Sequence, residues 1–249
     1  MKIKLILFAL LFSSIKFAHA QNQESILASA KYKVKLSQNN VLKIDDVCQL
    51  DITKNQSYFY SLGMQENLKS IAEKSRIADQ TGKPLQLTYK DIKIRLFRFT
   101  TIKKLISKQV ILQEQVGSQS LGYVVDTIDT KGWKILSETM KINNLNCRKA
   151  EITKGKSKAT AWFCGDIPIH DGPIYAAGLP GLIVKFSTST GWEAELVSFN
   201  YNKGVQKQLK IAPYALVSEA QFKKAKNNNT ASSKDGISIN GDKIEKVKN

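Results

Sequence analysis

The chain has 249 residues, with 38 Lys and Arg against 21 Asp and Glu, and a net charge of +17. At 42% hydrophobic and 24% charged it has the balance of a folded globular protein. That excludes a wholly disordered chain, a collagen-like repeat and a multi-span membrane protein, and the length allows one domain or at most two.

Residues 1–20 carry Lys2 and Lys4, an unbroken apolar run from Leu5 to Phe12, and then Ala18-His19-Ala20. The run is too short to span a bilayer as a helix. The small-x-small ending is the form a signal peptidase cuts, so cleavage is expected before Gln21 and the mature protein is expected to be periplasmic or secreted. The competing reading is an N-terminal core element. No Cys follows the run, so a lipid anchor is not expected.

From Ala30 to Leu36 the chain alternates, with Ala30, Tyr32, Val34 and Leu36 on one face and lysines on the other, which predicts a half-buried strand. Val47–Thr53 puts Cys48, Leu50 and Ile52 on one face, and Lys54-Asn55-Gln56 turns it back into Ser57–Leu62 as a hairpin. Over 65–79 the period lengthens. Leu68, Ile71, Ala72, Ser75 and Ala78 form a helical stripe that Gly82-Lys83-Pro84 ends. Strand patterns resume at Leu85–Tyr89 and at Ile92–Phe99, where a slip of phase suggests a bulge or burial on both sides. They continue at Ser107–Val116, Gly122–Ile128, Trp133–Ile142, Leu145–Thr153, Ser157–Cys164, Leu182–Phe186 and Trp192–Phe199. This is the rhythm of an antiparallel meander and not of βαβ units. Ser218-Glu219-Ala220-Gln221 has capping-box spacing and predicts a short helix to about Lys226; the polar residues 227–249 read as a disordered tail.

The fold expected is therefore mainly β: residues 21–226 as a single domain, a curved antiparallel sheet (half-barrel or sandwich) with one or two short helices.

The densest chemistry lies between residues 133 and 186. If Gly155-Lys156 is a two-residue loop, a type II′ turn pairs Lys154 with Ser157 and sets Cys147 opposite Cys164 in a non-hydrogen-bonded pair, where strands come closest. A cross-strand disulfide fits that spacing and an oxidising compartment. A loop one residue longer would leave three free thiols, and Cys48 is the odd cysteine in either case. Beyond Cys164 runs a Pro/Gly-rich segment, 165–181. Leu179-Pro180-Gly181-Leu182 fits a type II turn, with Gly181 supplying a positive φ. The segment is either a rigid corner of the sheet or an ordered loop at a binding mouth, which Trp162, Pro168, His170, Asp171, Pro173, Gly178, Leu179, Pro180 and Gly181 would line.

Asn146-Cys147-x-Lys149-Ala150, Ala161-Trp162-Phe163, Ile167-Pro168-Ile169-x-x-Gly172-Pro173 and Gly178-Leu179-Pro180-Gly181-Leu182-Ile183 together resemble the signature of the GLPGLI family of exported envelope proteins of Gram-negative bacteria. The match is dense over 145–186. The resemblance implies an antiparallel β fold, export, companionship with outer-membrane transport systems, and no established biochemical activity. His170, Asp171 and Cys164 fall outside the family pattern.

With one histidine left after export, a Ser-His-Asp or Cys-His arrangement must use His170. Asp171 adjoins it, but neighbouring side chains in extended chain point apart, and Cys164, Asp166 and His170 do not have a zinc spacing. No catalytic residue, metal or cofactor is assigned. The region 65–115 is rich in Lys and Arg and mixes Lys90, Lys93, Arg95 and Arg98 with Phe97 and Phe99. For an exported protein, anionic lipid or lipopolysaccharide is the expected counterpart, and nucleic acid is not. The function expected is a non-enzymatic, ligand-binding or accessory envelope protein partnering an outer-membrane transporter or other envelope protein. The alternatives are a hydrolase using His170 and a purely structural envelope component.

Overall fold

The computed structural model describes residues 24–88, 91–129, 131–202, 213–232, 237–240 and 243–246. The expected leader at 1–20 lies outside them.

Alternation dictates the first strand, β1 (Ala28–Gln38): Ala30, Tyr32, Val34 and Leu36 are all buried. It pairs with β2 (Val41–Ile52), which turns through Lys54 and Asn55 into β3 (Gln56–Ser61). β4 (Thr100–Lys104), β5 (Gln109–Val116) and β6 (Gln119–Thr127) continue this meander. A second meander runs through β7 (Lys134–Ile142), β8 (Leu145–Lys154), β9 (Ser157–Cys164), β10 (Leu182–Thr188) and β11 (Trp192–Tyr201). Pairing of β11 with β1 joins the two, and the two-residue β12 (Ala215–Leu216) lies parallel to β6 at one margin. The result is one twelve-stranded sheet, ordered β12-β6-β5-β4-β3-β2-β1-β11-β10-β9-β8-β7. It is open: β12 and β7 do not pair with each other. The fold is the mainly β, antiparallel sheet expected, with β12 as its parallel exception.

One face of the sheet carries the main core, in which Tyr32, Leu50, Phe59, Ala161, Phe163 and Phe186 meet residues of the segment 165–181. A smaller cluster of Tyr58, Ile102 and Ile111 sits on the opposite face, where Tyr214 packs. The margins approach one another where Lys154 of β8 reaches Asp126 of β6 at 2.7 Å.

Between β3 and β4 the sequence reading needs correction. α1 spans Leu62–Thr81, longer than 65–79, because Ser61 accepts the Met64 N–H as N-cap and Gly82 closes the helix at φ 65°. Its expected apolar stripe is not its contact: Leu68 is 55% exposed, and the buried positions are Gly63 and Asn67. Residues 91–99 are not a strand. Arg95 takes φ 57°, which interrupts the extended run, and the Asp46 carboxylate accepts the Phe97 N–H at 2.9 Å. Leu85–Thr88 is likewise irregular. Phe97, read as interleaved with a basic set, packs between Phe59, Phe99 and Trp192.

The Ser218–Gln221 capping box forms, with the Ser218 N–H donating to Gln221 Oε1 at 2.9 Å and the Gln221 N–H to Ser218 Oγ at 3.3 Å. α2 (Glu219–Ser232) runs past the expected end at Lys226 and seats Phe222 on Val116 and Leu121. Two short paired strands, β13 (Ile237–Asn240) and β14 (Lys243–Lys246), follow within the segment read from composition as a disordered tail. Among the described residues no helix is long and apolar enough to cross a membrane.

Candidate functional site

The β8–β9 hairpin sets the register of the motif region. Gly155 takes φ 59° in the two-residue loop, Lys154 faces Ser157, and Cys147 faces Cys164. The two cysteines are disulfide-bonded with Cα atoms 4.3 Å apart, and Cys48 is a buried free thiol. Burial pushes the Cys48 thiol up, and the neighbouring Asp46 charge adds to this, so it is held protonated.

The corner at 179–182 is not a type II turn. The Gly181 N–H donates to Leu179 O at 2.8 Å across Pro180, a three-residue turn, and the Leu182 N–H goes instead to Ile167 O at 3.0 Å. Gly181 has φ 152°, and a Cβ there would stand 2.3 Å from Cys164 O. The glycine is needed because the corner lies directly on the backbone of β9 beside the disulfide.

The nine residues proposed to line a mouth do not share one surface. Pro168, His170 and Pro180 are exposed. Asp171, Pro173, Leu179 and Gly181 are buried, and Trp162 and Gly178 are partly buried. Trp162 lies in register with Lys149 on β8 and Lys185 on β10. Among the described residues the His170 side chain has no hydrogen-bond partner.

The segment folds inward, and its polar groups converge on a lysine from another strand. Asp171 bridges to Ala177, and its carbonyl accepts the Ile183 N–H at 2.9 Å. Its carboxylate contacts Lys103 Nζ of β4, the pair being 2% and 0% exposed. Lys103 also donates to the carbonyls of Gly172 at 2.5 Å and Ala176 at 3.2 Å, and the Gly172 N–H donates to Asp171 Oδ1 at 2.7 Å. Among the described residues Asp171 Oδ2 is buried without a hydrogen-bond partner. Ser57, opposite Lys103 in the β3–β4 pairing, also has a buried, unpartnered Oγ. Tyr32 donates its hydroxyl to Ile183 O at 2.8 Å. Trp133, just before β7, donates its indole N–H to Ala177 O at 3.0 Å. The segment is thus gripped from β4 on one side of the sheet and from the start of β7 on the other.

Burial lowers the pKa of Lys103, opposed by the charge and hydrogen bond of Asp171. Burial raises that of Tyr32, and the Asp171 charge raises it further. Lys103 was not found from sequence. Its strand reads Thr100-Thr101-Ile102-Lys103-Lys104, and its one apolar residue faces the smaller outer cluster, so nothing in the alternation marks Lys103 as interior.

Surface depressions flank the motif among the described residues. A depression of about 500 Å³ is lined by Lys33, Lys35, Lys185, Glu193 and Glu195 among others. A cleft of about 610 Å³ beside the disulfide is bordered by Met140, Arg148, Asp166 and Pro180. A niche of about 60 Å³ lies by Trp133, Tyr175 and the Lys154–Asp126 pair. Among the described residues no group of His, Cys, Asp and Glu is arranged to hold a metal ion.

A family model described as a protein of unknown function (Porph_ging) matches residues 151–185, which span the end of β8, all of β9, the inward-folded segment and the start of β10. No curated protein matches. Among solved structures, PNGF-II in a P21 space group is similar with a TM-score of 0.54 at 13% identity, and PNGF-II in a C2 space group with 0.50 at 11%. Each match covers 81% of this chain but 33% of the other. The chain therefore spans about a third of the length of the structures it matches, and the likeness is one of fold.

Proposed function

We propose that the chain is a non-enzymatic exported envelope protein of the GLPGLI type, which acts by contact as an accessory partner of an outer-membrane transport system. The observation that carries this reading is the fate of the motif segment. Its converging polar groups, Asp171 with Lys103, are spent inside the half-barrel holding the segment in place, whereas a hydrolytic site needs such groups open to a substrate. His170, which a hydrolase would need, is exposed and has no side-chain hydrogen bond among the described residues. What the sheet leaves at its surface is the partly buried Trp162 between Lys149 and Lys185, and the Lys33, Lys35, Glu193 and Glu195 array on β1 and β11. An aromatic flanked by long charged side chains suits a protein partner better than an apolar small molecule. The basic balance of the chain also suits an anionic lipid or lipopolysaccharide surface, a weaker and more salt-sensitive attachment.

The test is capture of the tagged mature protein from a detergent extract of the envelope. One outer-membrane transporter component should co-purify with the wild type, and Trp162→Ala should lose it while remaining folded. Capture of lipopolysaccharide alone, or of nothing, refutes the accessory role.

A further inference from the structure

We propose that Lys103 and Asp171 are joined by an isopeptide bond in the mature protein, a covalent cross-link between β4 and the segment 165–181. The amine and the carboxyl are in contact, both side chains are excluded from water, and both sit in a rigid surround of paired strands and core side chains. That arrangement supplies the reacting groups at high effective concentration, since neither must be brought from solution.

The polar contacts distinguish the two carboxyl oxygens. Oδ1 takes both the Lys103 Nζ contact and the Gly172 N–H at 2.7 Å, while among the described residues Oδ2 has no hydrogen-bond partner. A permanently ionised Asp171 would leave part of its charge facing that uncompensated side, and buried charges are retained only when fully compensated. Amide formation removes the discrepancy, because one carboxyl oxygen departs and the orphan is the one with no bond to lose. The remaining oxygen keeps the Gly172 N–H, which polarises the Cγ–Oδ1 bond during attack. The amide N–H that remains on Lys103 has an acceptor ready in Gly172 O, 2.5 Å away.

The step balances without an oxidant or a co-reactant. One proton passes from Lys103 Nζ to Asp171 Oδ1, the oxygen it contacts, which converts the ion pair into a neutral amine and a neutral acid. Burial favours this exchange, because it disfavours the charged form of Lys103. The nitrogen lone pair then forms the Nζ–Cγ bond. The Cγ–Oδ2 bond breaks, and Oδ2 leaves as water with the acid proton, passed on from Oδ1, and a second proton from Nζ.

A tryptic map of the reduced, alkylated full-length protein purified in its folded state tests the bond. Trypsin does not cut after an acylated lysine, so residues 99–104 should appear joined to residues 159–185, at a mass lower than the sum of the two linear peptides by one water. Asp171→Asn should give the same branched peptide, since its side-chain amide loses ammonia in place of water; an ion pair would produce no such species from either protein. Asp171→Ala should yield only linear peptides. Recovery of residues 99–103 as a linear peptide from the folded wild type, with no branched species, overturns the proposal, whether or not the variants fold.

Discussion

Two glycines in the motif region separate conformational need from lack of space. Gly155 takes φ 59°, and an added Cβ would meet nothing within 4 Å. Gly155→Ala should therefore cost only the left-handed penalty, about 1 kcal/mol. Gly181 combines φ 152° with backbone atoms of Cys164 and Gly165 inside 3 Å of the added carbon. Those atoms belong to a central strand beside a disulfide and cannot withdraw as a flexible side chain would. Gly181→Ala should cost about 3 kcal/mol or more. Urea unfolding of both variants at unchanged slope checks the difference. Equal midpoints would mean that β9 yields where the packing says it is fixed. The family-model match over 151–185 takes in both glycines.

At the scale of elements, legibility followed the apolar pattern. β1, β2 and the β8–β9 hairpin could be read because their buried faces are apolar at alternate positions and their turns carry Gly or Asn. The opposition of Cys147 to Cys164 followed from the same hairpin register. The stretch from 85 to 104 could not be read that way. Its order comes from side-chain hydrogen bonds to the backbone, such as Asp46 to Phe97 and Asn67 to Lys93, and these leave no period in the sequence. β4 was hidden for the opposite reason, since its inner face carries Thr101 and Lys103. The central pair of the candidate site was therefore half legible: Asp171 was marked by its motif, and Lys103 by nothing.

α1 shows what polar docking implies. It buries no large apolar side chain, and it is tied to the 88–98 segment through Asn67 with Lys93, Glu66 with Lys93, and Lys74 with Asp91 at 2.9 Å. Asp91 also accepts the Thr88 N–H at 2.6 Å. The hydrogen bond from Lys74, followed by those from Thr88, holds its pKa down at about 2 against an ordinary 3.8. A depressed carboxylate stabilises the folded state fully above its unfolded pKa, and that contribution is lost as pH falls through the folded value. Acidification from about pH 4 to 2 should thus loosen α1 while the sheet, whose core has no part in this contact, stays intact. Amide NMR shifts of α1 should move with a midpoint near 2, ahead of any change in β1 or β11. Asp91→Asn should abolish that step, and a midpoint near 4 in the wild type would show that the contact does not form in solution.

For the whole molecule, the governing fact is that the main core is shared between the two meanders. β1 to β6 present Tyr32, Leu50, Phe59 and Lys103 on the inner face, and the segment 165–181, delivered from between β9 and β10, packs there together with Phe97. The joint between the meanders pairs Ala28 with Tyr201, residues at nearly opposite ends of the described chain. Such long-range pairing yields its stabilisation only after a large loop-closure entropy has been met, so folding should be slow for the chain's size. It also makes the halves interdependent. A fragment ending in the β6–β7 connection, such as residues 24–131, should show no cooperative thermal transition, because its inner face keeps only Phe97 and Phe99 as cover and Lys103 has no carboxylate. Adding residues 132–249 should restore a transition at a position close to that of the intact chain, since the cut falls in an exposed connection that is not part of the main core. A cooperative transition in the isolated N-terminal fragment would mean that the first meander is a domain by itself and that the inward-folded segment is only a cover. The fragment pair therefore reads directly whether residues 165–181 are structural interior, as the Lys103–Asp171 contact requires.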